Sequence, residues 1–131
     1  MPPTLEPRRP RSPRIAELPY YSIYRHGFVR VAVATPRVEV ASPGFNVVET
    51  VRIAREAATE QAALVVFPEL GLSAYSNEDL FQQDALLDAS LQALSTLVEA
   101  SRELAISCAV GVPLRVDNRL FNCAVLVRRG E

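Results

Sequence analysis

The sequence predicts an α/β fold with the element order β-α-β-α-β-β, preceded by a disordered N-terminal tail. The first observation behind this prediction is that short apolar runs alternate with longer segments whose apolar residues recur at helical spacing. The second is that a short polar turn separates the last two apolar runs, which is typical of a hairpin. A strand, a helix and a second strand in succession form a parallel crossover unit, so the first strands are predicted to run parallel.

The N-terminal segment, residues 1–19, is predicted to be disordered or polyproline-like. Six of the 10 prolines of the chain lie there, interleaved with four arginines. A segment of this composition can neither bury apolar surface nor form a backbone ladder. The arginines are consistent with phosphate or RNA contact or with a solvated extension, and the second alternative is favoured because no aromatic residues are interleaved with them. These arginines are Arg8, Arg9, Arg11 and Arg14.

The folded part is predicted to begin with a strand at residues 28–34, buried on both faces because nearly every position is apolar. A helix of about four turns follows, with Asn46 as its N-cap and Glu49 completing a capping box. A second strand is predicted at residues 63–67. The apolar face of the helix is formed by Val47, Val51, Ala54 and Ala58.

The second half is predicted to form a helix over residues 84–105, which covers one face of the sheet, and then a hairpin. The strands of the hairpin are placed at residues 106–114 and 120–127, with a turn at 116–119. The apolar stripe of the helix consists of Leu87, Leu91, Leu94 and Val98.

Composition narrows the function classes. Hydrophobic residues make up 49% and charged residues 22% of the chain, and the net charge of -1 provides no basic field for nucleic acid. Apolar runs fall short of the roughly 20 residues needed to span a bilayer, and no signal peptide is recognisable, so a cytoplasmic protein is expected. Cys108 and Cys123 lie in predicted strands and are interpreted as packed, reduced thiols.

One acidic residue, Glu69, lies where the second strand opens into a loop. A carboxylate sheltered from water at such a position can act as a general base, although a solvated loop acid is the commoner case. His26 precedes the first strand, so a surface or capping role is favoured over catalysis. Tyr75 either lines a pocket or anchors the loop, and Asn122 is interpreted as closing backbone hydrogen bonds near the site.

Several runs carry a family resemblance: YRHGFVRVA at 24–32, VFPEL at 66–70, LSAYS at 72–76 and GVPL at 111–114, followed by Phe121 and Asn122. They resemble the carbon-nitrogen hydrolase (nitrilase) superfamily and, within it, the glutaminase domains of bacterial glutamine-dependent NAD synthetases. The resemblance covers residues 20–131, which correspond only to the N-terminal portion of such a domain. It implies a partial nitrilase-type αββα sandwich.

The resemblance implies a Glu-Lys-Cys triad, of which only the glutamate maps onto this sequence, at Glu69, as general base for the cysteine thiol. The lysine and cysteine of the family lie past residue 131, and the chain contains no lysine. The domain is therefore expected to be truncated here and inactive towards glutamine. No cofactor or metal is expected in this chain. ATP, magnesium and deamido-NAD are implied at a separate synthetase domain, and a homo-oligomer is expected for the full-length protein.

The sequence departs from the family pattern at Ser42, Ala74 and Phe121. The glycine expected at position 74 implies a positive φ, which alanine adopts at some cost. Two alternatives stay open. One is a stand-alone amidase of the same superfamily, and the other is a non-catalytic remnant whose exposed apolar sheet face serves assembly.

Overall fold

The computed structural model describes residues 14–131 and confirms the predicted element order within them. The elements are β1 (Val31–Val33), α1 (Pro43–Thr59), β2 (Leu64–Val66), α2 (Asp84–Ala100), β3 (Ser107–Val116) and β4 (Arg119–Val127). They form a four-stranded sheet in the order β1-β2-β3-β4. The pairs β1·β2 and β2·β3 are parallel, and β3·β4 is antiparallel.

Both helices pack on one face of the sheet, and the core lies between the helices and that face. Val65, Val110 and Val112 point into this core from the strands, and Leu97 meets them from α2. Because successive strand residues alternate between faces, their neighbours point to the opposite side. We call that side the outer face; it carries Val31, Val33, Val66, Ala109, Ala124 and Leu126.

The prediction that the first strand is buried on both faces is wrong. Val31 is 61% exposed and Val33 is 85% exposed, because the described residues supply helices to one face of the sheet only. The strand is also shorter than predicted, since Phe28 and Val29 precede β1 and are exposed. An apolar pattern on both sides of a strand indicates that both faces can pack against other elements. Each face is buried only where such an element is present.

The first helix begins earlier than predicted. Pro43 occupies its first turn and Ser42 is the N-cap, because the fixed φ of proline suits the start of a helix. The capping box at Asn46 is therefore wrong. Asn46 is fully buried instead: its Oδ1 accepts from the Glu39 N–H at 2.7 Å, and its Nδ2 donates to Glu39 O at 2.9 Å and to Leu72 O at 3.1 Å.

The second half follows the prediction closely, apart from the end of α2. The helix stops at Ala100 and continues as a 3₁₀ turn at Ser101–Glu103. The hairpin turn consists of Asp117 and Asn118, both with positive φ (48° and 60°), as a two-residue turn between twisted strands requires. An ion pair between Arg115 and Asp84 joins β3 to the start of α2.

The loop after β2 crosses over β3 at Gly111. A Cβ on residue 111 would lie 2.2 Å from Leu70 N and 2.8 Å from the carbonyl carbon of Glu69. The Leu72 N–H donates to Gly111 O at 3.2 Å across the same crossing. Residue 111 must therefore lack a side chain for the loop to occupy this position.

The predicted tail, residues 1–19, lies mostly outside the described residues. Its last part contains a 3₁₀ turn at Ile15–Glu17, and a second such turn follows at Ile23–His26. His26 lies exposed at the surface before β1, with Nε2 at 2.6 Å from Tyr20 O. No helix among residues 14–131 has the length and apolarity to cross a membrane.

Both cysteines are free thiols, as predicted. Cys108 is fully buried in the core, whereas Cys123 is half-buried on β4. Burial raises the pKa of the Cys108 thiol to about 11. At pH 8 only about one Cys108 thiol in a thousand is therefore ionised.

The first prediction concerns the buried amide of Asn46. We expect Asn46→Asp to lower the free energy of unfolding by about 2–4 kcal/mol, because an oxygen would replace the Nδ2 donor that faces two carbonyl oxygens. Urea denaturation measures the change. Asn118→Asp, the same replacement at the exposed hairpin turn, should change it by less than about 0.5 kcal/mol. Equal stability of the two variants would show that the hydrogen bonds of Asn46 to Glu39 and Leu72 do not stabilise the fold.

The second prediction concerns the crossing at Gly111. We expect Gly111→Ala to lower the free energy of unfolding by about 2 kcal/mol or more, because the added methyl group meets backbone atoms that must move. The control is Gly44→Ala in α1, where an added Cβ meets nothing within 4 Å. That variant should be neutral or stabilised by up to about 1 kcal/mol. If both variants unfold at the same urea concentration, the loop is not packed as described.

The third prediction concerns thiol reactivity. In a Cys123→Ser variant at pH 8, we expect the remaining Cys108 thiol to react with an aromatic disulfide reagent at least about tenfold more slowly than in urea. The rate in the native state should rise as the pH approaches 11, because the thiolate is the reacting form. In the matched Cys108→Ser variant, Cys123 should react in the native state. Rapid native modification of Cys108 would contradict its burial.

Candidate active site

Glu69 lies at the carboxyl end of a parallel strand. After β2 ends at Val66, the Phe67 N–H still donates to Ala109 O on β3 at 2.9 Å, and Pro68 then directs the chain into the loop. Ligand sites of parallel α/β sheets lie beyond the carboxyl ends of the strands. The position of Glu69 is thus the one that the sequence predicted.

The loop that carries Glu69 is held by its own side chains. Asn77 is buried, and its Nδ2 donates to Ser73 O at 2.8 Å and to Ala74 O at 2.6 Å. The Ser73 hydroxyl bonds to Leu70 O at 3.2 Å. Ala74 has a φ of 68°, which confirms the left-handed conformation inferred from the glycine expected there. These contacts fix the backbone of the loop between Leu70 and Asn77.

Asn122 contacts Glu69 directly: its Nδ2 donates to the carboxylate oxygen Oε1. The interpretation that Asn122 closes backbone hydrogen bonds is therefore wrong. It lies opposite Pro113 in the β3·β4 register, on the outer face of the sheet. One sequence signal was available, since Asn122 is an amide within an otherwise largely apolar strand, but its partner is 53 residues away in the chain.

A cavity of about 400 Å³ opens beside this pair. A second, mostly apolar cavity of about 230 Å³ adjoins it, and the two share Leu70, Phe81 and Asn122. Tyr75 is 67% exposed and lines the first cavity, so it forms a wall rather than packing against the sheet. The remaining residues that line the first cavity are Glu69, Ser76 and Glu78. Of these three, the sequence predicted a site role for Glu69 alone.

The expectation that Glu69 is sheltered from water is wrong for this structure. The side chain is exposed, because the cavity opens to solvent and no described element covers the outer face next to it. A shallow hollow of about 290 Å³ continues from Glu69 along that face, over Val66, Ala109 and Ala124. The carboxylate nevertheless lines a concave surface and is oriented by a neighbouring amide.

This arrangement can accept a proton from a group placed in the cavity, but it does not hold the other members of a hydrolytic site. In the part of the chain that the structure describes, no lysine or arginine lines either cavity. Cys123 alternates with Asn122 along β4, so its side chain points to the opposite face of the sheet. Within residues 14–131, no three His, Cys, Asp or Glu side chains are grouped as a metal ion would require.

Comparison with known proteins identifies the family. The carbon-nitrogen hydrolase family model matches residues 30–131. The glutamine-dependent NAD(+) synthetase of Mycobacterium tuberculosis is 47% identical over 111 residues, which are 85% of this chain and 16% of that protein. The Mycobacterium leprae enzyme of the same name is 40% identical over the same shares of each chain. The chain thus spans about one-sixth of the length of these curated relatives.

Solved structures show the same fold. A glutamine-dependent NAD(+) synthetase from Cytophaga hutchinsonii superposes with a TM-score of 0.72 at 24% identity, over 78% of this chain and 17% of that one. An amidase from Nesterenkonia sp. superposes with a TM-score of 0.68 at 20% identity, over 78% of this chain and 39% of that one. The predicted partial nitrilase-type fold is confirmed. The family match over residues 30–131 places this chain in the carbon-nitrogen hydrolase family.

Proposed function

We propose that this chain forms the first part of the glutaminase domain of a glutamine-dependent NAD synthetase, with Glu69 as its general base. One observation carries the proposal: Glu69 lies at the carboxyl end of β2, beside a cavity, with Asn122 bonded to its carboxylate. The identity of 47% to relatives that bear the synthetase name favours this enzyme over other members of the family.

In the proposed reaction, Glu69 takes the proton of a cysteine thiol, and the thiolate attacks the side-chain amide carbon of glutamine. Glu69 returns this proton to the leaving nitrogen, so that ammonia departs. Water then hydrolyses the resulting thioester, which releases glutamate and the free thiol. A lysine stabilises the negative charge that develops on the carbonyl oxygen. This chain supplies only the base, because it has no lysine and its two cysteines lie in the core and on the helix-facing side of β4. We expect it to be inactive by itself.

For the whole protein, the proposal extends to the use of the ammonia. ATP, with magnesium, would adenylate the carboxylate of deamido-NAD at a separate synthetase domain and release pyrophosphate. Ammonia would then displace AMP to form the amide of NAD. The residues that bind ATP and magnesium would lie in that domain, since this sequence contains no phosphate-binding loop motif. A homo-oligomeric state and a cytoplasmic location remain predictions from the sequence.

A second function is favoured by the exposed apolar outer face. Val33 is 85% exposed and Leu126 is 64% exposed, as expected of a surface that serves assembly with another protein segment. Assembly does not exclude the first proposal, because the face and the cavity lie side by side. A purely structural role differs from it in one respect: Glu69 would then be replaceable without any effect on hydrolysis.

The test places residues 20–131 of this chain in the synthetase of Mycobacterium tuberculosis, in exchange for the matching segment. We expect the chimera to release ammonia from glutamine. Glu69→Gln in the chimera should lower kcat for this release by about 10³-fold, because the amide cannot accept the thiol proton.

The control is NAD formation from added ammonia, which bypasses glutamine hydrolysis and should be unchanged by Glu69→Gln. Unaltered glutamine turnover in the variant would refute the role of Glu69 as base. Loss of both activities would indicate that the substitution damages the fold, in which case Glu69→Asp, which retains a carboxylate, is measured in the same way.

A further inference from the structure

The hydrogen bond between Asn122 and Glu69 places a polar side chain in a largely apolar strand. On the outer face of β4, Asn122 is flanked by Leu120 and Ala124, so packing does not require an amide there. Both partners are exposed, and water competes for a hydrogen bond in that position. The bond therefore contributes little to the stability of the fold, and its effect is on the orientation of the carboxylate.

The position of Asn122 is fixed by the backbone of the hairpin. The two-residue turn at Asp117 and Asn118 sets the pairing of Val116 with Arg119, and from there Asn122 falls opposite Pro113. A slip of one residue would move Asn122 to the helix-facing side of the sheet. The amide is thus presented by a strand with one defined register.

The position of Glu69 is fixed by the same strand pair. The Glu69 backbone lies against Gly111 of β3, where a Cβ would come within 2.8 Å of the Glu69 carbonyl carbon. Gly111 pairs with Ala124, two residues beyond Asn122 on β4. Donor and acceptor are therefore held by two pairs of one ladder, Gly111 with Ala124 and Pro113 with Asn122, which lie on the same face of the sheet. Groups supported in this way keep a defined geometry.

We infer that Asn122 is a positioning residue, which occupies Oε1 of Glu69 and leaves Oε2 directed towards the group that gives up its proton. This inference rests on the proposed function, because it assigns Asn122 a role in the reaction of Glu69. A carboxylate that is free to rotate would present either oxygen at varying distances, and small misplacements of a reacting group lower rates strongly.

The contact itself is tested on the chain as it exists, by NMR of the Asn122 side-chain amide. We expect its two proton signals to lie at different chemical shifts in Glu69→Gln and in the parent chain, because the carboxylate that accepts the bond is replaced by an amide. The Asn118 amide in the turn serves as the reference signal and should not move. Asn122 signals that are identical in the two proteins would overturn the inference.

The role is tested in the chimera described above. We expect Asn122→Asp, which cannot donate, and Asn122→Leu, which is apolar, each to lower kcat for ammonia release about 10- to 100-fold with little change in KM. NAD formation from added ammonia and the unfolding midpoint should be unchanged. Asn118→Asp, the same replacement outside the cavity, should keep the parental rate.

The outcomes separate this inference from the proposal on which it rests. If Glu69→Gln abolishes ammonia release and both Asn122 variants keep the parental kcat, the positioning role is refuted and the base remains. If Glu69→Gln has no effect, the proposed function itself fails. A rise in KM without a fall in kcat would also overturn the inference, because it would assign Asn122 to substrate binding.

Discussion

The close approach of the Glu69 loop to β3 is the constraint on which the site depends. Backbone meets backbone at Gly111, with no room for a side chain between them. This crossing brings the end of β2 over the hairpin, so that a carboxylate from one and an amide from the other meet. The loop then turns through left-handed residues, Leu70 and Ala74 among them, and the cavity lies beside it.

The regular elements could be predicted because their signals are local. The apolar repeat of Val47, Val51 and Ala54 indicates a helix whatever surrounds it, and the polar Asp117 and Asn118 between two apolar runs indicate a hairpin. The predicted N-cap of α1 was wrong because two local signals competed there. At the start of α1, Pro43 determined the boundary, whereas Asn46 was drawn into contacts with Glu39 and Leu72.

The candidate site was predictable in part. A carboxylate after an apolar strand is visible in the sequence, and so is the left-handed residue at position 74, once a family pattern supplies the glycine. The partnership with Asn122 was not visible, because it depends on the register of the hairpin and on the path of a loop 53 residues earlier. The exposure of Glu69 was not visible either, since it depends on which element covers the outer face.

The outer face of the sheet has a consequence for anyone who purifies this chain. Among residues 14–131, edge strand β1 has no partner on the side away from β2, so the backbone groups of Val31 and Val33 are unpaired there, and edges of this kind tend to recruit further strands. Sulfate and phosphate strengthen the burial of apolar surface because they are excluded from it. Ammonium sulfate and phosphate buffers would therefore promote aggregation of this polypeptide. Dilute solutions without these salts would favour the monomer.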